Sequence, residues 1–380
     1  MTHQRTRARR GVRAREHESS WATACTARRC EQGEHEQGGV VGVVVIQQVL
    51  FEVAAPYYGH PYFVTGHALF NAIARRADAA VRRELAVSHG VFVPKEFGEY
   101  PRGHSQSGYA GKLGGELPAV EAYEDLFVYR DPRQGWLQDG RPRDAHNTHD
   151  LQSHGGRLAF APECFFGRPP ETRNRKRSVS WYVHCYLHTG RGESDVLPVG
   201  ESVLDGVRVG GARNYGFGEL EVVDTQLVDL EELDYSRLEA GAASDEGRCQ
   251  LELVSPYVLR SEFSGADEQS VPWWWKVDND RVSGASAGGV LRRRETQLAV
   301  DGATHAVEVL DHGQIVGFDG GDVVGTAKNG VLRVGTHSKY GFGELRVRPP
   351  GGGRVPERGP AGERVNWRER RVDASGGEGL

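Results

Sequence analysis

The hexapeptide Tyr215-Gly216-Phe217-Gly218-Glu219-Leu220 occurs twice, returning as Tyr340-Gly341-Phe342-Gly343-Glu344-Leu345 at an offset of 125 residues. Six consecutive identities mark an internal duplication, and repetition on this scale means duplicated domains. The likeness runs upstream, where Gly206-Val207-Arg208-Val209-Gly210 echoes Gly330-Val331-Leu332-Arg333-Val334-Gly335 with one residue of slippage. Glycines at such positions permit positive φ and let another backbone come close. Successive amides in the turn form an anion-binding concavity, for which phosphate is a natural guest. Arg213 and Lys339 can add charge-assisted contacts, while Tyr215 and Tyr340 can stack on bases or brace the loop. Read without a ligand, the same segments are tight turns between strands, with Phe217 and Phe342 plugging the core.

With 380 residues the chain has room for two ordinary domains, each with its own core. The run from Val40 to Val53 is rich in β-branched residues and predicts a buried strand. After a turn at Pro56–Pro61, His67, Leu69, Phe70, Ile73, Ala74, Ala77 and Ala80, mostly apolar, recur at helical spacing from Thr65, the N-cap candidate, to about Ala86. Strands are expected at Ser178–Thr189, Glu219–Leu227, Cys249–Leu259, Thr296–Val300, Ala306–Leu310, Gln314–Phe318, Val331–Val334 and Glu344–Val347. Segments of weak periodicity at about 95–177 and 264–294 are expected as insertions. Residues 1–38 and 349–380 are too polar to offset chain entropy and are expected as disordered tails.

Charge argues both ways. The formal net charge is −5, but the tails are basic, so the part between them is more acidic than the whole, the reverse of the usual nucleic-acid binder. Only six of the 47 basic residues are lysines. Such a Lys-poor, acid-rich surface suits a salt-loaded cytoplasm, where counterion release contributes little and binding leans on stacking, backbone donors and arginine. Five scattered cysteines, Cys25, Cys30, Cys164, Cys185 and Cys249, give no zinc-type pair and fit a reducing cytoplasm. No apolar run approaches the roughly 18 residues of a membrane span. No cofactor, metal or membrane partner is expected.

Glycine loops of this form resemble those of the repeat-associated mysterious proteins, the RAMP superfamily of CRISPR systems. The matching residues are Gly210-Gly211-Ala212-Arg213-Asn214-Tyr215-Gly216-Phe217-Gly218 and Gly335-Thr336-His337-Ser338-Lys339-Tyr340-Gly341-Phe342-Gly343. The strand, loop and helix opened by Val64-Thr65-Gly66 is also similar to the family's first βα unit. The resemblance implies an α+β chain of tandem ferredoxin-like (RRM-like) domains with long insertions, at 39–235 and 247–348, each ending in a glycine-rich loop. It implies CRISPR RNA and other effector-complex subunits as partners. The RNA would lie along Gly210, Gly211, Arg213, Tyr215, Gly216, Phe217 and Gly218, and along Gly335, His337, Lys339, Tyr340, Gly341, Phe342 and Gly343. Because long insertions commonly dock neighbours, the first expectation is an effector subunit holding the repeat-derived handle of the guide RNA.

The family also contains endoribonucleases that process repeat RNA without a metal. Such cleavage needs a base, an acid and a cation, and the candidates near the first helix are His60, Tyr58 and His67, with His60 first. A second alternative is a β-rich ligand-binding protein for which the repeats are only turns. Asp144, His146, His149, Asp150 and His154 have a spacing that can bind metal but read better as a solvated loop. On the strand around Tyr182–His188, the histidines and tyrosines form either an RNA-stacking platform or half a core. Trp273-Trp274-Trp275 cannot all point one way on a strand, so at least one belongs near the surface. The clusters Arg173–Arg177 and Arg292–Arg294 are candidate RNA contacts.

Overall fold

Val45–Val53 forms strand β1, buried along almost its whole length as its β-branched composition requires. The computed structural model describes residues 44–59, 63–94, 97–99, 110–112, 115–130, 152–154, 157–159, 165–166, 181–189, 196–243, 249–263, 271–276, 291–300 and 302–349. Short strands β2 (Tyr57–Tyr58) and β3 (Phe63–Val64) lead to helices α1 (Gly66–Ala74) and α2 (Ala79–Glu84). The periodicity predicted one helix here; the chain makes two. Asp78 has an extended backbone and its carboxylate accepts the Val81 N–H, so it starts a second helix where the first has ended. Thr65 holds the N-cap position of α1 without a side-chain cap bond. The Gly66 N–H goes instead to His89 Nδ1 at 3.3 Å.

Next come β4 (Leu85–Val87), β5 (Gly90–Pro94), the hairpin of β6 (Phe97–Glu99) and β7 (Ala110–Lys112), and the hairpin of β8 (Gln152–His154) and β9 (Arg157–Ala159). The short β10 (Phe165–Phe166) pairs with β2, and β11 (Trp181–Thr189) returns to the main sheet. The first half closes with a one-turn helix α3 (Glu201–Leu204), β12 (Val207–Arg208) and β13 (Glu219–Asp229). Its antiparallel sheet has the order β12-β13-β1-β11-β5-β3, with β4 also on β11.

The second half runs through α4 (Ser236–Ala243), β14 (Gln250–Leu253), β15 (Tyr257–Ser261), β16 (Trp275–Lys276), β17 (Arg293–Val300), β18 (Ala303–Leu310), β19 (Ile315–Phe318), α5 (Val323–Val331) and β20 (Leu345–Arg348). One sheet has the order β16-β19-β14-β20 and a second has β15-β18-β17. The single strand expected at Cys249–Leu259 is divided at Val254-Ser255-Pro256 between these two sheets, because proline cannot donate to a continuing ladder. The strand expected at Val331–Val334 is absent: Val331 ends α5, a helix that Gly325 and Gly330 hide from periodicity and that Asp322 caps through the Gly325 N–H. The protein is thus a mixed α+β structure, strand-rich with few helices.

Two apolar clusters organise the core. One belongs to the first half, where Val49, Leu69, Ile73, Phe92 and Val183 pack α1 on the sheet. The other draws on both halves, joining Ile46, Tyr186 and Leu230 to Leu251, Val316 and Leu345. Part of the expected polar insertion lies in that shared core. A 3-10 turn at Tyr123–Phe127 buries Tyr123, Leu126 and Phe127, and the Tyr123 hydroxyl accepts the Val347 N–H at 3.0 Å. Three residues on, Arg130 is 1% exposed and makes a two-pronged ion pair with Glu344, from Nε to Oε1 at 2.7 Å and from Nη2 to Oε2. Its Nη1 donates to the His89 and His184 carbonyls, and the guanidinium lies 4.6 Å from the Tyr186 ring centroid. Burial works against the charge on Arg130, but the Glu344 carboxylate outweighs it and holds the pKa above the usual guanidinium value.

Arg130→Met strands a buried carboxylate and is expected to destabilise the fold by about 3–5 kcal/mol. Arg208→Met breaks the exposed pair with Glu219 and should cost under about 1 kcal/mol. Urea unfolding of the two variants measures the difference.

Candidate nucleic-acid interface

The two glycine-rich loops have the same backbone. Gly210, Ala212, Gly216 and Gly218 have φ of 81°, 56°, 86° and 71°, and Gly335, His337, Gly341 and Gly343, each 125 positions on, have 87°, 63°, 93° and 83°. Each loop carries one turn of 3-10 helix, at Arg213–Tyr215 and Ser338–Tyr340. Each is closed by the same bonds, Val209 N–H to Gly218 carbonyl at 3.0 Å and Val334 N–H to Gly343 carbonyl at 2.9 Å. The Gly218 and Gly343 amides donate to the carbonyls of Pro56 and Pro256. Those prolines sit in Glu52-Val53-Ala54-Ala55-Pro56-Tyr57 and Glu252-Leu253-Val254-Ser255-Pro256-Tyr257, a second trace of the duplication that the sequence reading missed. The amides of Tyr215, Gly216 and Gly218 are spent inside the loop or on Pro56, so an anion meeting this loop is left chiefly to its side chains.

Surroundings separate the copies. In the first loop Tyr215 is 85% exposed and Arg213 half-buried, while Phe217 is half-buried. Tyr58 lies alongside: its carbonyl accepts the Gly211 N–H at 2.7 Å, and a Cβ on Gly211 would crowd its ring. The second loop faces α1 and α2. Tyr340 meets the Phe70 ring edge-on at 5.2 Å and its carbonyl abuts Gly66. Lys339 Nζ donates to the Arg82 and Arg83 carbonyls, both at 3.0 Å, and lies 4.9 Å from the Phe70 centroid. Burial lowers the Lys339 pKa, with Glu84 opposing. Phe342 is buried against His89, and Gly341 touches the same ring. His337 packs against Phe263, its pKa lowered by burial and then by His305.

Of the catalytic candidates, Tyr58 sits at the first loop, whereas His67 sits on α1, beside the residue that abuts the second. His67 Nε2 is 3.3 Å from Thr65 Oγ1, and burial lowers its pKa to about 4. His60 lies outside the described residues, as do Asp144, His146, His149, Asp150 and Arg173–Arg177; nothing is described of the His154 side chain. Among the described residues no group of three His, Cys, Asp or Glu side chains could hold a metal. The stacking platform considered for β11 is instead core: His184, Tyr182, Tyr186 and His188 are all buried. Burial, then the Arg130 charge, holds His184 well below the usual imidazole pKa. Burial and Arg333 lower His188 to about 3, against backbone bonds to Thr189 and Leu332. Trp273 is 85% exposed, Trp274 half-buried and Trp275 buried, as three successive tryptophans require. Arg293 pairs with Glu308 and Arg294 with Asp311.

No helix among the described residues is long and apolar enough to cross a membrane.

Two outcomes are expected. Gly216→Ala, into open space but at positive φ, should cost about 1–2 kcal/mol; Gly218→Ala and Gly343→Ala should cost more in unfolding experiments, because the added methyl falls on the Val209 or Val334 carbonyl. The folded-state pKa values of His67, His184 and His188 lie below 6.5, so the unfolded chain takes up protons first. Stability is full above that value and falls with pH through the window down to about 4 for His67 and about 3 for His188. Denaturant unfolding across this range should show the loss, with a shallower slope for His67→Gln.

No protein-family model matches the chain, and no curated protein matches its sequence.

Proposed function

We propose that this chain is a RAMP-type RNA-binding subunit of a CRISPR effector complex, gripping the repeat-derived handle of the guide RNA. One observation carries the reading: two loops of identical backbone differ in that the second is packed against helices while the first holds Tyr215 out in solvent, with Arg213 two residues away. An exposed aromatic ring with an arginine two positions away offers base stacking and a phosphate contact, which suits a chain whose acidic balance gives no broad electrostatic attraction. The strand orders support tandem ferredoxin-like halves. In β13-β1-β11-β5 and in β20-β14-β19-β16, four strands numbered by their order along the chain lie side by side as four, one, three, two. The first half keeps the helix after its first strand, α1, and the second keeps the helix before its last, α5.

The contact of Tyr58 with Gly211 favours a second reading, a metal-independent endoribonuclease with Tyr58 at the first loop and His60, two positions on in the sequence, as its base. His60→Ala abolishing cleavage of a repeat RNA in chelator, with binding retained, would select it.

The test of the first reading is to purify the protein at high salt and sequence the nucleic acid it carries. Small RNAs sharing a repeat-derived end are expected, and a folded preparation free of RNA overturns the reading. Tyr215→Ala should weaken RNA binding by about 1–3 kcal/mol, the usual value of one stacked base, and Arg213→Ala should weaken it and lower the salt dependence. Tyr340→Ala should lower the unfolding midpoint and leave the RNA affinity of folded molecules unchanged.

A further inference from the structure

The duplication exposes a difference that the loop-borne RNA site does not use. In the first copy Arg208 pairs on the surface with the motif glutamate, Nη2 to Glu219 Oε2 at 2.6 Å. At the matching position of the second copy Arg333 is 5% exposed, in a left-handed conformation at φ 69°. The motif glutamate there, Glu344, has both oxygens engaged by Arg130. Arg333 Nε donates to the Ser338 carbonyl at 2.7 Å, but Nη1 and Nη2 are buried with no partner among the described residues. Arg333 makes no ion pair among the described residues, so its positive charge is left in excess beside the Arg130–Glu344 pair. Burial, opposed by Glu344, lowers the Arg333 pKa to about 10, so it remains cationic at neutral pH.

Arg333 lines a cleft of about 690 Å³, within the range of about 300–1,000 Å³ usual for small-ligand sites. Aromatic side chains supply another part of the wall: Trp273, 85% exposed, Trp274, Tyr257 and Phe318. Thr326 and Asn329 of α5 add polar groups, and His188, also in the lining, is neutral. At the start of α5 the Asp322 carboxylate already takes the Gly325 N–H. Among the described lining residues it is the anionic group and disfavours phosphate at that end, which leaves the end where the buried Arg333 guanidinium acts through its charge.

We propose that this cleft binds one nucleotide unit, with its base stacked on Trp273 and its phosphate drawn to Arg333. The inference deepens the RNA-binding reading and rests on it for one of two sources of the same chemistry, a nucleotide of the bound RNA or a free nucleotide.

The test uses the full chain and two probes, adenosine 5′-monophosphate and a short single-stranded RNA, followed by tryptophan fluorescence and calorimetry. The monophosphate is expected to quench fluorescence and to bind about tenfold or more tighter than adenosine. Trp273→Ala should weaken it by about tenfold, the order expected for one lost stacking partner. Because Trp273 is exposed, that variant should keep the wild-type unfolding midpoint, and the comparison with adenosine tests the attraction of the phosphate to the Arg333 charge without disturbing the buried side chain. Equal binding of adenosine and its monophosphate, or undiminished binding by Trp273→Ala, overturns the proposal. RNA binding without monophosphate binding overturns it while leaving the RNA-binding reading standing. Monophosphate binding without RNA binding supports the cleft and removes that reading. Where both bind, displacement of the monophosphate by RNA identifies the RNA as the source, and simultaneous binding identifies a free nucleotide.

Discussion

The ion pair of Arg130 with Glu344 ties together three parts of the chain that are far apart in sequence: the segment leading from the Tyr123–Phe127 turn, the first sheet, and the second glycine-rich loop. A charge pair this deep is tolerated because its donors and acceptors are matched. Both carboxylate oxygens receive a guanidinium nitrogen, and the remaining guanidinium nitrogen meets two carbonyls, those of His89 and His184. The pair also fixes its neighbours. His184 must stay neutral beside it, and Tyr186, packed on the guanidinium, directs its hydroxyl to the Leu126 carbonyl.

Duplication gave the chain two copies of one loop, and tertiary context gave them different work. Backbone conformation is common to both because the glycines dictate it. What each side chain touches is decided elsewhere. Glu219 meets Arg208 at the surface, whereas Glu344 turns inward to Arg130. Tyr215 stands in solvent and Tyr340 braces α1; Lys339 bonds the carbonyls at the end of α2. The second loop has become a joint between halves, and the first keeps Tyr215 in solvent.

This explains which features the sequence made legible. The loops, β1, β11, β13 and the three strands at Arg293–Phe318 are carried by local signals, glycine and β-branched periodicity, and were readable. The division between α1 and α2 turns on one capping carboxylate, Asp78, and α5 was hidden by two glycines in a helix supported by its packing against β20. Arg130 stands in a segment without periodicity, so nothing local marks it as a core residue. Identical motif letters likewise could not reveal that Glu344 is buried and Glu219 is not. The cleft was visible only as unconnected parts, a tryptophan run and an arginine echoing Arg208, which folding brings together.

Because Glu344 and β20 come so late in the chain, their role has a consequence for synthesis from a ribosome. The first half can assemble its own cluster around α1, but Ile46, Tyr186 and Leu230 wait for Leu251, Val316 and Leu345. Arg130, too, is without its carboxylate until residue 344 has emerged. Until then the nascent chain must carry an apolar surface and an unneutralised guanidinium, and both are covered only when Glu344 and β20, the last of the described strands, have emerged.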